Sequence, residues 1–132
     1  MGVSLRLNPI VWANNLTELN AGNIDCIWST LSITNDRKEN MFFGKAYMNN
    51  KVVVTVPSTS NVKNISDLEG KIVGILAASP HIVLFQVNSV YSKVKSVVER
   101  PNISELFNEL KTGKIDALIM DEHMVKYWIS HN

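Results

Sequence analysis

The 132-residue sequence predicts an α/β fold built as two similar halves, and three observations lead there. Apolar runs of strand length alternate with stretches of helical periodicity. One pattern recurs: Glu18-Leu-Asn-Ala-Gly22-Asn-Ile24-Asp25 returns as Glu109-Leu-Lys-Thr-Gly113-Lys-Ile115-Asp116. A polar, Ser-rich segment at 58–64 separates the two copies and marks a boundary between sub-structures. Each copy reads as a helix end, a glycine able to take the left-handed conformation, and a buried strand. Asp25 and Asp116 then stand at strand starts, where a structural role is expected.

In chain order, Val3, Leu5 and Leu7 alternate with Ser4, Arg6 and Asn8, the pattern of a half-buried strand stopped by Pro9. Asn15 opens a short helix with Glu18 as its capping-box partner and Gly22 as its stop. Ile24 to Trp28 is the next strand, and Cys26 inside it is expected to be a core thiol. Lys51 to Pro57 is the strongest strand signal in the chain. Ser66 to Gly70 is one capped turn, Lys71 to Leu76 a buried strand, and Ser79 to Tyr91 a helix with Pro80 in its first turn. After a strand at Val94 to Val98, Asn102 caps the clearest helix, with Glu105 completing the box and Ile103, Leu106, Phe107 and Leu110 on one face. Ile115 to Met120 is a strand. Asp121 to Ile129 is a last helix with Met124, Val125, Trp128 and Ile129 on its apolar side. Trp28, Trp128 and the methionines read as core.

Thirteen basic against twelve acidic residues leave a net charge of +1, and the cations are spread rather than clustered. That balance excludes a polyanion such as nucleic acid as the expected partner. No run of 18 apolar residues is present to span a bilayer. The start of the chain lacks the pattern of a signal peptide, so any export signal is not in this sequence. The single cysteine forms no internal disulfide. His81, His123 and His131 show neither metal-ligand spacing nor carboxylate partners in sequence, so no metal and no cofactor is expected.

The chemistry concentrates in Asp25 to Arg37. An Ile- and Trp-rich strand runs into Ser29, Thr30 and Ser32, and ligands of open α/β sheets bind beyond the carboxyl ends of strands. Thr34 caps a helix beginning at Asn35, which puts Arg37 in its first turn. Hydroxyls, backbone N–H groups and a guanidinium there converge on an anion the size of a carboxylate. The plainer alternative for Arg37 is a surface charge.

The ordered set Gly-x-Ile-Asp25, Ser29-Thr-Leu-Ser32-Ile-Thr34-x-x-Arg37, Lys71-Ile-Val-Gly74-Ile, Gly113-Lys-Ile-Asp116 and Asp121-Glu122 resembles the family 3 extracellular solute-binding proteins. These are the polar amino-acid receptors of ABC importers. The resemblance covers essentially the whole chain. It implies a periplasmic-binding-protein-like (type II), two-lobe architecture, incomplete here, which closes on an amino acid without doing chemistry. Residues 1–50 would be a partial lobe one, 51–60 the crossover strand and hinge, and 61–132 lobe two. Arg37 would grip the ligand α-carboxylate, and Ser29, Ser32 and Thr30 would help hold the amino-acid main chain. Asp121 would pair with the α-ammonium, although it also reads as a plain helix cap. Trp12 would line the site as an aromatic wall, or else cover the core.

Two departures from the family pattern stand out. The segment Ala78-Ser79-Pro80 replaces a Gly-Ser/Thr-Thr sequence, and Pro80 has no N–H to offer, so Ser79 must supply any contact there. The chain also resembles a receptor trimmed at both ends. Exposed sheet edges are expected to follow, open to homo-oligomer pairing or a domain swap. The implied partners are a free amino acid and the membrane permease of an ABC transporter, in the periplasm or, lipoprotein-like, at the cell surface. Two alternatives stay open. One is an enzyme similar to the cyclohexadienyl dehydratases, with Asp121 and Glu122 as the acid or base. The other is an oligomerising relative that no longer binds ligand.

Overall fold

The computed structural model describes residues 2–29 and 31–131. The chain divides into two compact units, Met1–Ala46 and Tyr47–Asn132.

In the second unit a four-stranded mixed sheet has the order β1-β4-β2-β3. Its strands are β1 (Val52–Thr55), β2 (Ile72–Leu76), β3 (Ser96–Arg100) and β4 (Ala117–Asp121). β4, β2 and β3 run parallel, and β1 joins β4 antiparallel with Val52 opposite Asp121. The two central strands are buried along nearly their whole length, as continuous apolar runs of a covered parallel sheet should be. Val73, Ile75, Ala117 and Ile119 pack on one face with Val62, Leu68, Phe85 and Val90. Phe85 comes from α3 (His81–Gln86). Gly74 faces the other way, toward Ile115 and Leu106. Leu106 belongs to α4 (Ile103–Lys111), which buries Leu106, Phe107 and Leu110 as its apolar spacing predicts. The α5 helix (Glu122–His131) lies beside α4, where Trp128 stacks on Phe107 with ring centroids 4.7 Å apart.

Asp116 has the structural role expected of it: its carboxylate accepts the Ile72 N–H at 2.8 Å and pins the start of β2. Other expectations shift. The helix expected over Ser79 to Tyr91 is only α3, followed by a separate turn of 3-10 helix at Tyr91–Lys93. Asn102 has the extended backbone of a cap but makes no side-chain capping bond, and the Glu105 side chain expected to complete the box turns to Arg100, 3.2 Å away. Ile129, expected on the buried side of α5, is 67% exposed.

The first unit holds α1 (Asn15–Asn20) and α2 (Asn35–Asn40). The expected strands at Val3 to Ile10 and Ile24 to Trp28 are not formed among the described residues. A strand exists through the ladder bonds of its neighbours, and neither segment has a paired neighbour here. Val3, Leu5 and Leu7 are accordingly exposed, as is Trp28. Cys26 is exposed too, not a core thiol, because the strand that was to bury it is absent. The Asn15–Glu18 capping box also fails: Asn15 Nδ2 donates to the Trp12 carbonyl, and Glu18 accepts from Asn23.

The repeated glycine turn does appear in both units. Gly22 and Gly113 adopt φ of +71° and +75°. Asn23 N–H bonds the Glu18 carbonyl at 3.0 Å, and Lys114 N–H bonds the Glu109 carbonyl at 2.9 Å. Both helices therefore end in the same left-handed cap.

Candidate functional site

The sequence-expected residues fall into one cluster in each unit. In the first, Thr34 has extended backbone and its Oγ1 accepts the Arg37 N–H at 3.3 Å, which starts α2 as the cap predicts. That N–H is thus engaged by Thr34. The Arg37 guanidinium turns back over its own loop, where Nη1 donates to the Ser32 carbonyl at 2.9 Å. Its Cζ lies 5.9 Å from the centroid of the Trp12 ring, within reach of a cation–π attraction. Arg37, Ser32 and Trp12 therefore meet as a group. Ser29 is exposed, and Thr30 lies outside the described residues. A guanidinium oriented by a carbonyl and an indole presents a fixed positive charge with the forked geometry that suits a carboxylate.

In the second unit, the end of β4 places Asp121 beside the turn that follows β2, because parallel neighbours end at the same edge of a sheet. The turn is tight. Ala78 takes φ of +57°, unusual for a residue with a Cβ, and Ser79 N–H bonds the Leu76 carbonyl at 3.3 Å. Ser79 is buried and its hydroxyl donates to that same carbonyl at 2.6 Å, so its first job is to close the turn. α3 then begins with His81, whose Nε2 lies 2.9 Å from Asp121 Oδ1. Asn50, just upstream of β1, donates its amide Nδ2 to the same oxygen at 2.5 Å. His81 is 3% exposed and the Asp121 side chain 14%.

The sequence reading gave His81 no carboxylate partner; the structure overturns that, because the partner lies 40 residues away and is brought in by the β2–β4 pairing. Asn50 was missed for the same reason. The available signal was topological: residues following one parallel strand neighbour the last residue of the next. The carboxylate can only accept, so the His81 Nε2–H is the donor of this bond. Asp121 is thereby an anion held by two side-chain donors, an arrangement able to receive a cationic group. Among the described residues, no group of three or more His, Cys, Asp or Glu side chains is arranged to hold a metal ion. No helix among them is long and apolar enough to cross a membrane.

A mixed α/β sheet with Asp121 at the end of a central strand is a fold shared with solute-binding receptors. The chain belongs to the bacterial extracellular solute-binding proteins, family 3, whose family model matches residues 1–83. It is 27% identical over 122 residues to a probable histidine-binding protein of Neisseria gonorrhoeae, covering 92% of this chain and 45% of the relative. It is 29% identical over 121 residues to a glutamine-binding protein of Geobacillus stearothermophilus, again covering 92% and 45%. Among solved structures, an ABC uptake transporter substrate-binding protein from Streptococcus pneumoniae with bound histidine superposes with a TM-score of 0.90 at 29% identity, over 97% of this chain and 54% of that one. An ancestral arginine-binding protein bound to glutamine gives 0.85 at 28% identity, over 98% and 57%. The chain spans about half the length of the relatives it matches.

Proposed function

We propose that this chain binds a free polar amino acid outside the cell, in the periplasm or at the cell surface, for delivery to the membrane permease of an ABC importer. Arg37 takes the α-carboxylate, with Ser32, Ser29 and Thr30 beside it, and Trp12 supplies an apolar wall. Asp121 takes the α-ammonium, and Ser79 holds the turn next to it. Residues 1–50 and 61–132 act as parts of two lobes, 51–60 as the crossover, and closure on the zwitterion is the whole of the activity, with no bond made or broken. The observation that carries this reading is the pairing of types: one oriented guanidinium and one oriented carboxylate, each at a strand- or loop-to-helix junction. The relatives include histidine-, glutamine-, cystine- and arginine-binding proteins, which supports a polar amino acid as the ligand class.

Thermal unfolding against the twenty L-amino acids at millimolar concentration tests it. A ligand at about a hundred times its dissociation constant stabilises by about 2.7 kcal/mol, which one or a few polar amino acids should deliver. Arg37→Ala should remove most of that shift, since one partner of a charge-assisted pair is lost. A flat panel from a folded sample would sink the proposal. An Arg37→Ala variant that binds as tightly as the parent would move the carboxylate site elsewhere.

A further inference from the structure

His81 is a buried polar group that the proposed binding scheme leaves unused. It is 3% exposed, and its Nδ1 meets no hydrogen-bond partner among the described residues. A histidine kept in a core for stability alone would be expected to satisfy both nitrogens. This one leaves Nδ1 unmet while Nε2 is aimed at Asp121. The chain segment that delivers it is itself unusual. Ala78 occupies the left-handed region at φ +57°, and α3 starts three residues later with His81. Backbone strain of this kind persists where the surroundings demand a particular placement.

Asn50 strengthens the case. Its amide reaches the same Oδ1 from a different element, so two donors converge on one oxygen of Asp121. One donor leaves a carboxylate able to swing about its terminal torsion; two donors from separate elements fix its plane. We infer that His81, together with Asn50, is a positioning residue that sets the orientation of the Asp121 carboxylate, and so decides how strongly this chain prefers ligands bearing an α-ammonium group. The inference rests on the proposed amino-acid binding and adds to it which residues set the preference.

A merely structural His81 would, on removal, weaken every ligand alike. A positioning His81 acts through the ammonium alone. The test therefore compares the L-amino acid that raises the melting temperature most with the 2-hydroxy acid carrying the same side chain, which keeps the carboxylate and lacks the ammonium. Affinities are measured by titration calorimetry on the parent, His81→Phe, His81→Gln and His81→Asn. Phenylalanine fills the space without a donor. Glutamine can place an N–H where Nε2 lies, and asparagine is too short to do so.

The amino acid should bind His81→Phe about tenfold or more weaker than the parent, the loss expected for one hydrogen bond to a charged group. The hydroxy acid should change little, so the preference collapses. His81→Gln should restore it to within about threefold, the residue of imperfect geometry. Equal weakening of both ligands, or no weakening, overturns the inference while leaving amino-acid binding intact. A parent that binds no amino acid removes the proposed function and this inference together. If His81→Phe does not fold, the Gln and Asn variants decide: a preference retained in Gln and lost in Asn supports the positioning role, and equal behaviour rejects it.

Discussion

Arg100 holds Glu109 through two nitrogens, Nε at 3.1 Å and Nη2 at 2.9 Å from Oε1, fastening the end of β3 to the last turn of α4. Nε also lies 3.2 Å from Glu105, one helical turn earlier. The two acids are not equivalent. The Glu109 side chain is 12% exposed and Glu105 46%, so water screens the second pair far more than the first. Glu109→Ala should destabilise the protein by about 1.5–3 kcal/mol, the range for a hydrogen bond to a charged group. Glu105→Ala should cost less than about 0.5 kcal/mol. Urea denaturation of the two variants checks the ordering; equal losses would mean that Arg100 treats both partners alike.

Gly74 is a point on β2 where Leu106 of α4 and Ile115 crowd against the backbone. A Cβ placed there would lie 2.5 Å from Ile115 Cδ1 and 3.0 Å from Leu106 Cδ2. Both neighbours are almost fully buried, so neither can swing into solvent to make room. Gly74→Ala should therefore lower stability by about 1–3 kcal/mol through overpacking, and Gly74→Val by more. Thermal unfolding measures it. An alanine variant as stable as the parent would show that α4 can slide on β2 without loss.

Asp67 carries a pH dependence. Its Oδ2 accepts the backbone N–H of Lys63 at 2.8 Å and of Asn64 at 2.9 Å, which holds its carboxyl below the usual aspartate range. A carboxyl depressed in the folded state adds stability above its unfolded value, and that contribution is lost as pH falls through the folded one. Asp67→Asn should therefore melt lower than the parent at neutral pH, with the difference shrinking as the solution is acidified below about pH 4. A gap that stays constant across that window would mean the carboxylate charge is not what holds the turn.

The locally encoded parts of this fold were legible in the sequence. The Gly113 turn, the apolar face of α4 and the Thr34 cap depend on residues within about one or two helical turns of each other, and all three are present. The buried runs at β2 and β4 were legible because a strand covered on both faces leaves a continuous apolar signature. What failed was non-local. Ile24 to Trp28 has the composition of a strand, but composition does not supply a neighbour to pair with. The link between His81 and Asp121 needed the parallel β2–β4 register, which no stretch of sequence contains by itself. In the candidate site, Arg37 and Ser32 lie five residues apart and were legible together, whereas Trp12, 25 residues before Arg37, was legible as a candidate wall but not as the partner of Arg37. The support around Asp121 comes from Asn50 and His81, 71 and 40 residues away, and it was not legible.

The attachment of β1 has a mechanical consequence. Val52 is in register with Asp121, the Lys51 carbonyl accepts the Glu122 N–H, and Asn50 grips the Asp121 carboxylate. One residue earlier, the Asn49 carbonyl lies 2.9 Å from His123 Nε2. From Asn49 onward the chain is riveted to β4 and α5. This edge of the second unit is thus stitched at four consecutive residues, 49 to 52, so a pull on the chain there is shared along a seam rather than borne by one bond. The seam includes the acid proposed to hold the ligand.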